Sequence, residues 1–382
     1  MNRSVNRRTF IKTTSIGASS LAFATRNHAV AANDEIVLGM IGTGGRGQRL
    51  LKAITNIPQY RVAALCDLRE ERVQQAAAIC EQYKPAVTTY TDFRTMLEQE
   101  KLDACIVATE EGNHAKCAIP VLEAGLHCFS EKPVDTTVEK VQAVVKAATK
   151  ARGIYQVGFQ RRYVPSFQSC MKYIHEGQAG KVQFLQGMWQ WMEGVGGRYL
   201  DLVESGGWFL AQACHHADVM SWVMQDQPPL RCSAMGAYLG STTSLPEVHS
   251  EDHAALMFEF PGKVIFSYTH IMNCCEPFSG EKLWVYAEKG GLDLRLGLHY
   301  PLGTNPEPVQ VGTGVTDWDE GTYEELEAFA RHIQNHEQPL SNAHTASIST
   351  LIGIMGRKAM YNRRKNEFEP SVVTWEKLVQ EG

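Results

Sequence analysis

Residues 36–47 read IVLGMIGTGGRG: a short apolar run leads directly into glycines spaced G-x-G-x-x-G. Such a run is typical of a strand buried on both faces of a sheet. Gly42 permits a tight turn, Gly44 lets a pyrophosphate approach the backbone, and Gly47 allows the next helix to pack closely on the strand. The stretch therefore predicts a strand, a phosphate-binding turn and a helix, the first unit of a Rossmann fold.

An acidic residue stands where the adenosine ribose of a dinucleotide is expected. Asp67 ends the second predicted strand, 20 residues after Gly47, and a carboxylate at that distance contacts the ribose hydroxyls. A 2′-phosphate would be repelled there, so the sequence favours NAD, although Arg46, Arg69 and Arg72 leave NADP open. We expect these residues to hold the cofactor: Gly42, Thr43, Gly44, Gly45, Arg46, Gly47, Asp67 and Arg69.

Two regions with different patterns follow the first 33 residues. Across 34–157, short apolar runs alternate with helix-like segments, which predicts a doubly wound parallel sheet because βαβ crossovers are right-handed. Across 158–382, strand-like runs that alternate between two faces dominate between helical stretches, one of them near 209–224. The turns Pro261-Gly262 and Gly290-Gly291 favour two hairpins, and we expect an α/β domain with a large open, mostly antiparallel sheet. An exposed face on that sheet suits a homo-oligomer.

Residues 1–31 are expected to be a cleavable twin-arginine signal. The paired Arg7 and Arg8 precede an apolar stretch, 13–24, and the small-residue site Ala29-Val30-Ala31. The stretch is too short and too rich in Ser and Thr to span a bilayer. Paired arginines mark the route that exports folded proteins. The sequence thus predicts a periplasmic or extracellular protein that folds before export.

Composition excludes several partners. Residues 1–31 hold five of the 37 Lys and Arg and none of the 42 Asp and Glu, so the mature net charge is 32 minus 42, or −10. Phosphate backbones and anionic lipids repel such a chain, which argues against nucleic acid and membrane surfaces. No later stretch suits membrane insertion. The ten cysteines lack CxxC and Cys/His spacing, so we expect mostly reduced core thiols and no metal site.

Three further segments follow the glycine loop in a recognisable order: ATEEGNHAKCAIPVLEAGLHCFSEKP (108–133), GFQRRYVPSF (158–167) and GGWFLAQACHHADVMSWV (206–223). With the loop, they resemble the Gfo/Idh/MocA family of glucose–fructose oxidoreductases and inositol dehydrogenases. The resemblance covers essentially the whole mature chain, and its most specific mark is Glu-Lys-Pro at 131–133. It implies a Rossmann domain, a second α/β domain, NAD(P)-dependent oxidoreductase activity and a sugar or cyclitol substrate between the domains.

The resemblance also implies which residues react. Lys132 matches the lysine of the Glu-Lys-Pro motif, whose Lys-Pro bond is often cis in the family. His215 matches the histidine that begins a helix of the second domain, and imidazole is the usual proton acceptor near neutral pH. Both are expected to be catalytic. Further cofactor contacts are expected from Thr109, His114, Glu131, Lys132 and Gln160, and substrate contacts from Arg161, Arg162, Tyr163, Trp191, Gln212 and His215.

Two positions depart from the family's pattern. Ala211 stands where many of its dehydrogenases have an aspartate four residues before the histidine, so the usual dyad is incomplete. Glu111 stands where asparagine is more common, in the loop before His114. The departure at Ala211 weakens a direct inositol dehydrogenase assignment.

The favoured function is therefore an exported NAD(P)-dependent oxidoreductase that acts on a hydroxyl of a carbohydrate or cyclitol. Because free nicotinamide is not available outside the cytoplasm, we expect a tightly bound cofactor that is recycled in each catalytic cycle. The first alternative is an NAD-dependent glycoside hydrolase that oxidises C3 transiently and eliminates the aglycone, with His215 or Tyr163 as base. The second alternative is a non-catalytic sugar-binding protein.

Overall fold

Six parallel strands form the first sheet of the computed structural model, which describes residues 35–83, 86–240, 249–315, 321–361 and 370–381. The predicted signal, 1–31, lies outside the described residues. The strands are β1 (Ile36–Ile41), β2 (Tyr60–Cys66), β3 (Thr88–Tyr90), β4 (Ala104–Val107), β5 (His127–Ser130) and β6 (Tyr155–Val157). Their order in the sheet is β3-β2-β1-β4-β5-β6, which confirms the predicted doubly wound topology.

Helices cover both faces of this sheet and explain its apolar strands. They are α1 (Gly45–Ile54), α2 (Glu70–Ile79), α3 (Phe93–Gln99), α4 (His114–Glu123) and α5 (Val138–Lys150). The order of the strands reverses between β1 and β4, and ligands bind at such a switch point, beyond the carboxyl ends of the strands. The glycine loop follows β1 there, and the segment around Thr109 follows β4.

Nine strands form the second sheet, and it is mostly antiparallel, as expected. Between 158 and 382 the chain forms α6 (Pro165–His175), β7 (Val182–Trp191), α7 (Leu202–Ser205), α8 (Trp208–Ala211), α9 (Cys214–Val223), β8 (Arg231–Ala237), β9 (His253–Phe260), β10 (Val264–Met272), β11 (Gly280–Ala287), β12 (Gly290–Asp293), β13 (Leu298–Pro301), β14 (Val309–Gln310), α10 (Thr322–Asn335), α11 (Ala343–Met360), β15 (Val372–Thr374) and α12 (Trp375–Val379). The strand order is β14-β13-β12-β11-β7-β10-β9-β8-β15. Only the β7–β10 pair among these neighbours is parallel.

The two faces of the second sheet differ. Inward residues such as Leu256 and Phe258 are fully buried, and α9 and α11 pack together beneath the sheet. The other face exposes large apolar side chains on successive strands: Met235, Met257, Ile271, Tyr286 and Tyr300. This alternation along each strand explains the period of two in the sequence.

Helix α10 packs with the first domain, although it follows the second in sequence. Phe329 lies edge-on to Phe129 of β5, with ring centroids 5.9 Å apart. The hydroxyl of Tyr60 donates to the carbonyl oxygen of Leu326 at 2.7 Å. The last strand of the first sheet ends at Val157 and the first strand of the second begins at Val182. Residues 322–335 pack with the first sheet, although they lie within the range expected for the second domain.

The structure differs locally from the sequence prediction at two places. The single helix expected near 209–224 is divided into α8 and α9, with Gln212 and Ala213 between them. In the second predicted hairpin, the glycines Gly290 and Gly291 lie in β12, and the preceding residues make the turn. All ten cysteines are free thiols, and eight are buried, which fits the expected core role. Among the described residues, no helix has the length and apolarity needed to cross a bilayer.

Candidate active site

A cavity of about 880 Å³ is lined by residues of both domains. It brings together most of the predicted site residues: Gly45, Arg46, Thr109, His114, Glu131, Lys132, Gln160, Arg161, Trp191, Gln212 and His215. The lysine comes from the loop after β5 and the histidine from the first turn of α9. The two residues predicted to be catalytic therefore lie on the wall of one cavity.

The glycine loop fits a bound dinucleotide. Gly42 has a φ of +91°, and a Cβ atom there would lie 2.6 Å from the backbone of Ala108. A Cβ at Gly47 would collide with the carbonyl oxygen of Gly42. In contrast, a Cβ at Gly45 meets nothing within 4 Å, so the N-terminus of α1 is open on that side. An open helix N-terminus of this kind binds a pyrophosphate.

Asp67 is hydrogen-bonded to the glycine loop. Its Oδ2 accepts hydrogen bonds from the backbone N–H of Thr43 at 2.8 Å and from the Thr43 hydroxyl at 3.4 Å. Its Oδ1 accepts from the backbone N–H of Arg69 at 3.0 Å. Asp67 and Arg69 lie at the β2 side of the loop rather than on the cavity wall, which is where the adenosine half of NAD is expected.

Arg46 joins the glycine loop to the rest of the site. Its Nε donates to Glu131 at 2.5 Å, and its Nη2 lies 3.2 Å from a carboxylate oxygen of Glu325 on α10. It also donates to Gln160 Oε1 at 3.4 Å. Burial alone raises the pKa of Glu131, but the charges of Arg46 and Lys132 outweigh it and hold that pKa below its ordinary value. The carboxylate therefore stays ionised and fixes the loop that carries Lys132.

Lys132 is oriented by the backbone of the second domain. The peptide bond between Lys132 and Pro133 is cis. The ammonium donates to the carbonyl oxygen of Ala211 at 2.9 Å. The imidazole of His114 supports the same loop, because its Nδ1 lies 2.7 Å from the carbonyl oxygen of Pro133. At Ala211, where the resemblance led us to expect an aspartate, this chain offers a main-chain oxygen to the lysine.

The imidazole of His215 forms part of the cavity wall. Its ring lies edge-on to Phe159 with centroids 6.4 Å apart, and its buried Nδ1 has no hydrogen-bond partner among the described residues. Burial, and then the positive charges of Lys132, Arg161 and Arg46, hold the pKa of His215 well below 6.5. The imidazole is therefore neutral at physiological pH and is able to accept a proton.

Two predicted substrate contacts are corrected by the structure. Arg162 is 1% exposed and turned away from the cavity, since its guanidinium bonds Asp218 at 2.8 Å and Asp226 at 2.6 Å. The hydroxyl of Tyr163 is also buried and lies 3.0 Å from the hydroxyl of Ser341. Both side chains hold elements together, so neither contacts a ligand in the cavity.

Several cavity residues carry no motif in the sequence. Glu281 is the second residue of β11 on the second sheet, Arg295 follows β12, and Arg198 lies in the glycine-rich segment after β7. Arg198 forms an ion pair with Glu111 across the two domains. The alternation along β11 indicates a strand, but nothing local shows that its first residues reach the cavity.

Family models match most of the chain. The model for the oxidoreductase family with an NAD-binding Rossmann fold, GFO_IDH_MocA, matches residues 36–159. The model for the GFO/IDH/MocA C-terminal domain matches residues 167–293. Together they cover well over half of the 382 residues, and the chain belongs to the Gfo/Idh/MocA family of NAD-binding oxidoreductases. The predicted family, enzyme class and cofactor are thereby confirmed.

Individual relatives are dehydrogenases of cyclitols and sugars. An inositol 2-dehydrogenase/D-chiro-inositol 3-dehydrogenase of Halalkalibacterium halodurans is 25% identical over 79% of this chain and 84% of its own length. The fold matches the structure of scyllo-inositol dehydrogenase from Lactobacillus casei with NAD(H) and scyllo-inositol, with a TM-score of 0.71, 19% identity and coverage of 89% and 99%. It also matches levoglucosan dehydrogenase with NADH and levoglucosan, with a TM-score of 0.73, 18% identity and the same coverage.

Proposed function

We propose that this protein oxidises a secondary hydroxyl of a carbohydrate or cyclitol with NAD as the hydride acceptor. One observation carries the proposal: Lys132 and His215 line the same cavity as the open end of the glycine loop. The names of the relatives support the substrate class. A cavity lined by Trp189, Trp191 and Trp208 also suits a sugar, because its C–H faces pack on indole rings.

Each of the two residues has a distinct role in this reaction. NAD, when bound, supplies the carbon that accepts the hydride. Lys132 keeps further N–H donors beyond the one used by Ala211, and these hold the substrate's hydroxyl oxygen. The imidazole of His215 takes the hydroxyl proton as the C–H bond gives up its electron pair and the C–O bond becomes a carbonyl. The positive charge of Lys132 stabilises the alkoxide character that develops on the oxygen.

A screen of neutral sugars, sugar acids and cyclitols tests the proposal, with nicotinamide reduction as the readout. For any substrate found, Lys132→Met and His215→Asn should each lower kcat by about 100-fold or more. Lys150→Met and His175→Asn are matched controls, because both side chains are exposed outside the cavity. Turnover that survives both cavity substitutions would contradict the assigned roles.

A glycoside hydrolase that oxidises C3 transiently is the second candidate, favoured by Ala211 in place of the usual aspartate. Such an enzyme needs a second base for the C2 proton. Tyr163 is excluded from this role because its hydroxyl is buried against Ser341. Release of nitrophenol from aryl glycosides without net NADH formation would favour the hydrolase. Formation of NADH in proportion to oxidised sugar would favour the dehydrogenase.

We also propose that the protein is exported with its cofactor bound. The paired arginines at 7 and 8 support export of the folded protein. An exported enzyme then needs to keep and recycle its nicotinamide. Protein purified from the periplasm should contain close to one NAD(H) per chain. Cytoplasmic retention, or folded periplasmic protein without nicotinamide, would contradict this part of the proposal.

The exposed face of the second sheet supports a homo-oligomer. Met235 and Met257 on this face are 67% and 51% exposed, and apolar patches of this kind usually mark interfaces. Sedimentation of the wild type should show a dimer or a larger species. A Met257→Glu variant should sediment with a larger fraction of monomer than the wild type. A wild type that sediments as a monomer would contradict the proposal.

A further inference from the structure

Two guanidinium groups share a single carboxylate in the cavity wall. Arg161 Nη2 lies 2.5 Å from Glu281 Oε1, and Arg295 Nη1 pairs with the other oxygen of the same carboxylate. The side chains of Arg161, Glu281 and Arg295 are 7%, 10% and 19% exposed. Because the cluster carries two positive charges and one negative charge, it has a net charge of +1 in a place with little water.

The remaining charges of the cavity do not balance this excess. Glu111 pairs with Arg198, whereas Glu131 and Glu325 share Arg46. The fourth acidic residue on the cavity wall, Glu193, is exposed to solvent. Among the described residues, the ammonium of Lys132 donates only to a neutral oxygen, the carbonyl of Ala211, and its charge offsets the second carboxylate on Arg46. Counted over the part of the chain that the structure describes, the buried part of the cavity therefore has one more positive than negative charge.

The neighbouring imidazole does not change this balance. His216 Nε2 lies 3.2 Å from Glu281, but burial lowers the pKa of His216 to about 3, so it is neutral. On the other side, Arg161 Nη1 is buried, and no described residue offers it a hydrogen-bond partner. A buried donor without a partner is costly, and a charged one more so. A ligand acceptor that reached Nη1 would remove this cost.

We propose that the substrate is a sugar acid, whose carboxylate binds to the guanidinium groups of Arg161 and Arg295. This inference rests on the proposed function and names the substrate class for it. Arginine suits the role because its planar fork matches carboxylate geometry. Glu281 shows that the two guanidiniums already hold one carboxylate between them. Trp189 lies 6.0 Å from the Arg161 guanidinium and provides a surface for the sugar ring beside it.

Binding to the NADH-loaded protein tests the proposal without turnover. Titration calorimetry compares D-glucuronate and D-galacturonate with their neutral counterparts, D-glucose and D-galactose. At least one acid should bind about tenfold or more tightly than its neutral counterpart, a difference typical of one charge-assisted contact. Failure of both acids to bind, or equal affinity within both pairs, would overturn the proposal. Tighter binding of glucose 6-phosphate than of either acid would also overturn it, in favour of a phosphate site.

Two substitutions with opposite expected effects locate the site. Arg295→Gln should lower the acid preference, the ratio of acid affinity to neutral-sugar affinity, to about threefold or less. Glu281→Gln removes the competing carboxylate, so the acid should bind several-fold more tightly. Retained NADH binding shows that each variant is folded, and Arg161→Gln repeats the first test if Arg295→Gln does not fold. An acid preference that none of these variants changes would overturn the assignment.

The outcomes separate this inference from the proposed function. If neutral sugars reduce NAD and no acid preference is found, the carboxylate site is wrong and the oxidoreductase function stands. If an acid binds with the expected preference but no sugar, acid or neutral, reduces NAD, then the carboxylate site stands and oxidation of this substrate class fails.

Discussion

The ammonium of Lys132 and the carbonyl oxygen of Ala211 form a 2.9 Å hydrogen bond between the first domain and the second. The acceptor belongs to the main chain of Ala211, the position where the resemblance led us to expect an aspartate. The lysine is therefore oriented by the end of α8, and His215 follows four residues later at the start of α9. This arrangement accounts for a reactive site that keeps the Glu-Lys-Pro motif and the histidine without the usual acidic partner.

Loss of the Arg46 side chain should destabilise the fold. Glu131 and Glu325 are 5% and 0% exposed, and both would lose their guanidinium partner in Arg46→Ala. A buried charge left without its partner costs about 3 kcal/mol. Urea denaturation measures the change, and Lys52→Ala on the exposed side of the same helix is the control. An Arg46→Ala protein as stable as the wild type would show that the network does not hold α10 in place.

Substitution of Arg162 should affect stability and spare the reaction. Arg162→Ala leaves the buried Asp218 without its main partner, at a cost of about 3–5 kcal/mol. Because Arg162 lies outside the cavity, kcat and KM per folded molecule should change by less than about threefold. Arg152→Ala, on an exposed residue, is the control. A large rise in KM with unchanged stability would instead return Arg162 to the substrate site.

The sequence predicted those parts of the site that lie within short motifs, and it missed the parts that lie outside them. The glycine loop, Lys132 and His215 are short patterns whose neighbours in sequence are also neighbours in space. Glu281 and Arg295 were missed because they reach the cavity only through the register of β11 and β12 on the second sheet. The docking of α10 on the first domain was missed for the same reason, since it depends on contacts with strands far away in sequence.

Arg161 and Arg162 show a second limit of prediction from the sequence. Both lie in the 3₁₀ turn Gln160–Tyr163, where successive side chains point about 120° apart. Arg161 therefore reaches the cavity, whereas Arg162 reaches Asp218 in the opposite part of the core. The sequence predicted polar residues after β6, but adjacent positions of the same residue type have different roles.

The stability of the protein should fall as the pH is lowered below about 6.5. Burial lowers the pKa values of His216 and His270 to about 3. Between these values and the ordinary pKa of about 6.5, the unfolded chain binds protons that the native state does not. Each histidine therefore removes up to about 1.4 kcal/mol of unfolding free energy per pH unit in that window.

Denaturation at several pH values checks this dependence on the histidines. His270→Phe keeps an aromatic ring but has no titratable nitrogen. It should therefore reduce the slope of unfolding free energy against pH, between pH 6 and 4, by about 1 kcal/mol per pH unit. His344→Phe, at an exposed position, should leave the slope unchanged. An unchanged slope in His270→Phe would show that His270 does not resist protonation in the native protein.

The rate of sugar oxidation should change little as the pH is lowered from about 7.5 to 6. Burial and the nearby charges of Lys132 and Arg161 hold the pKa of His215 well below 6.5. His215 therefore remains an unprotonated base at pH values where an ordinary imidazole is mostly charged. A pH profile of kcat/KM should be flat from about 7.5 to 6, and Arg161→Gln should move its acid limb upward. Half-loss of activity near 6.5 in the wild type would contradict a buried, neutral His215.

A crystal structure of the protein with NAD and a bound sugar tests the central claim most directly. We predict that the pyrophosphate lies at the start of α1 beside Gly44 and Gly45. The nicotinamide ring should enter the cavity, with the reacting hydroxyl within hydrogen-bond distance of both Lys132 Nζ and the imidazole of His215. A nicotinamide bound outside this cavity, or a sugar hydroxyl that contacts neither residue, would contradict the account.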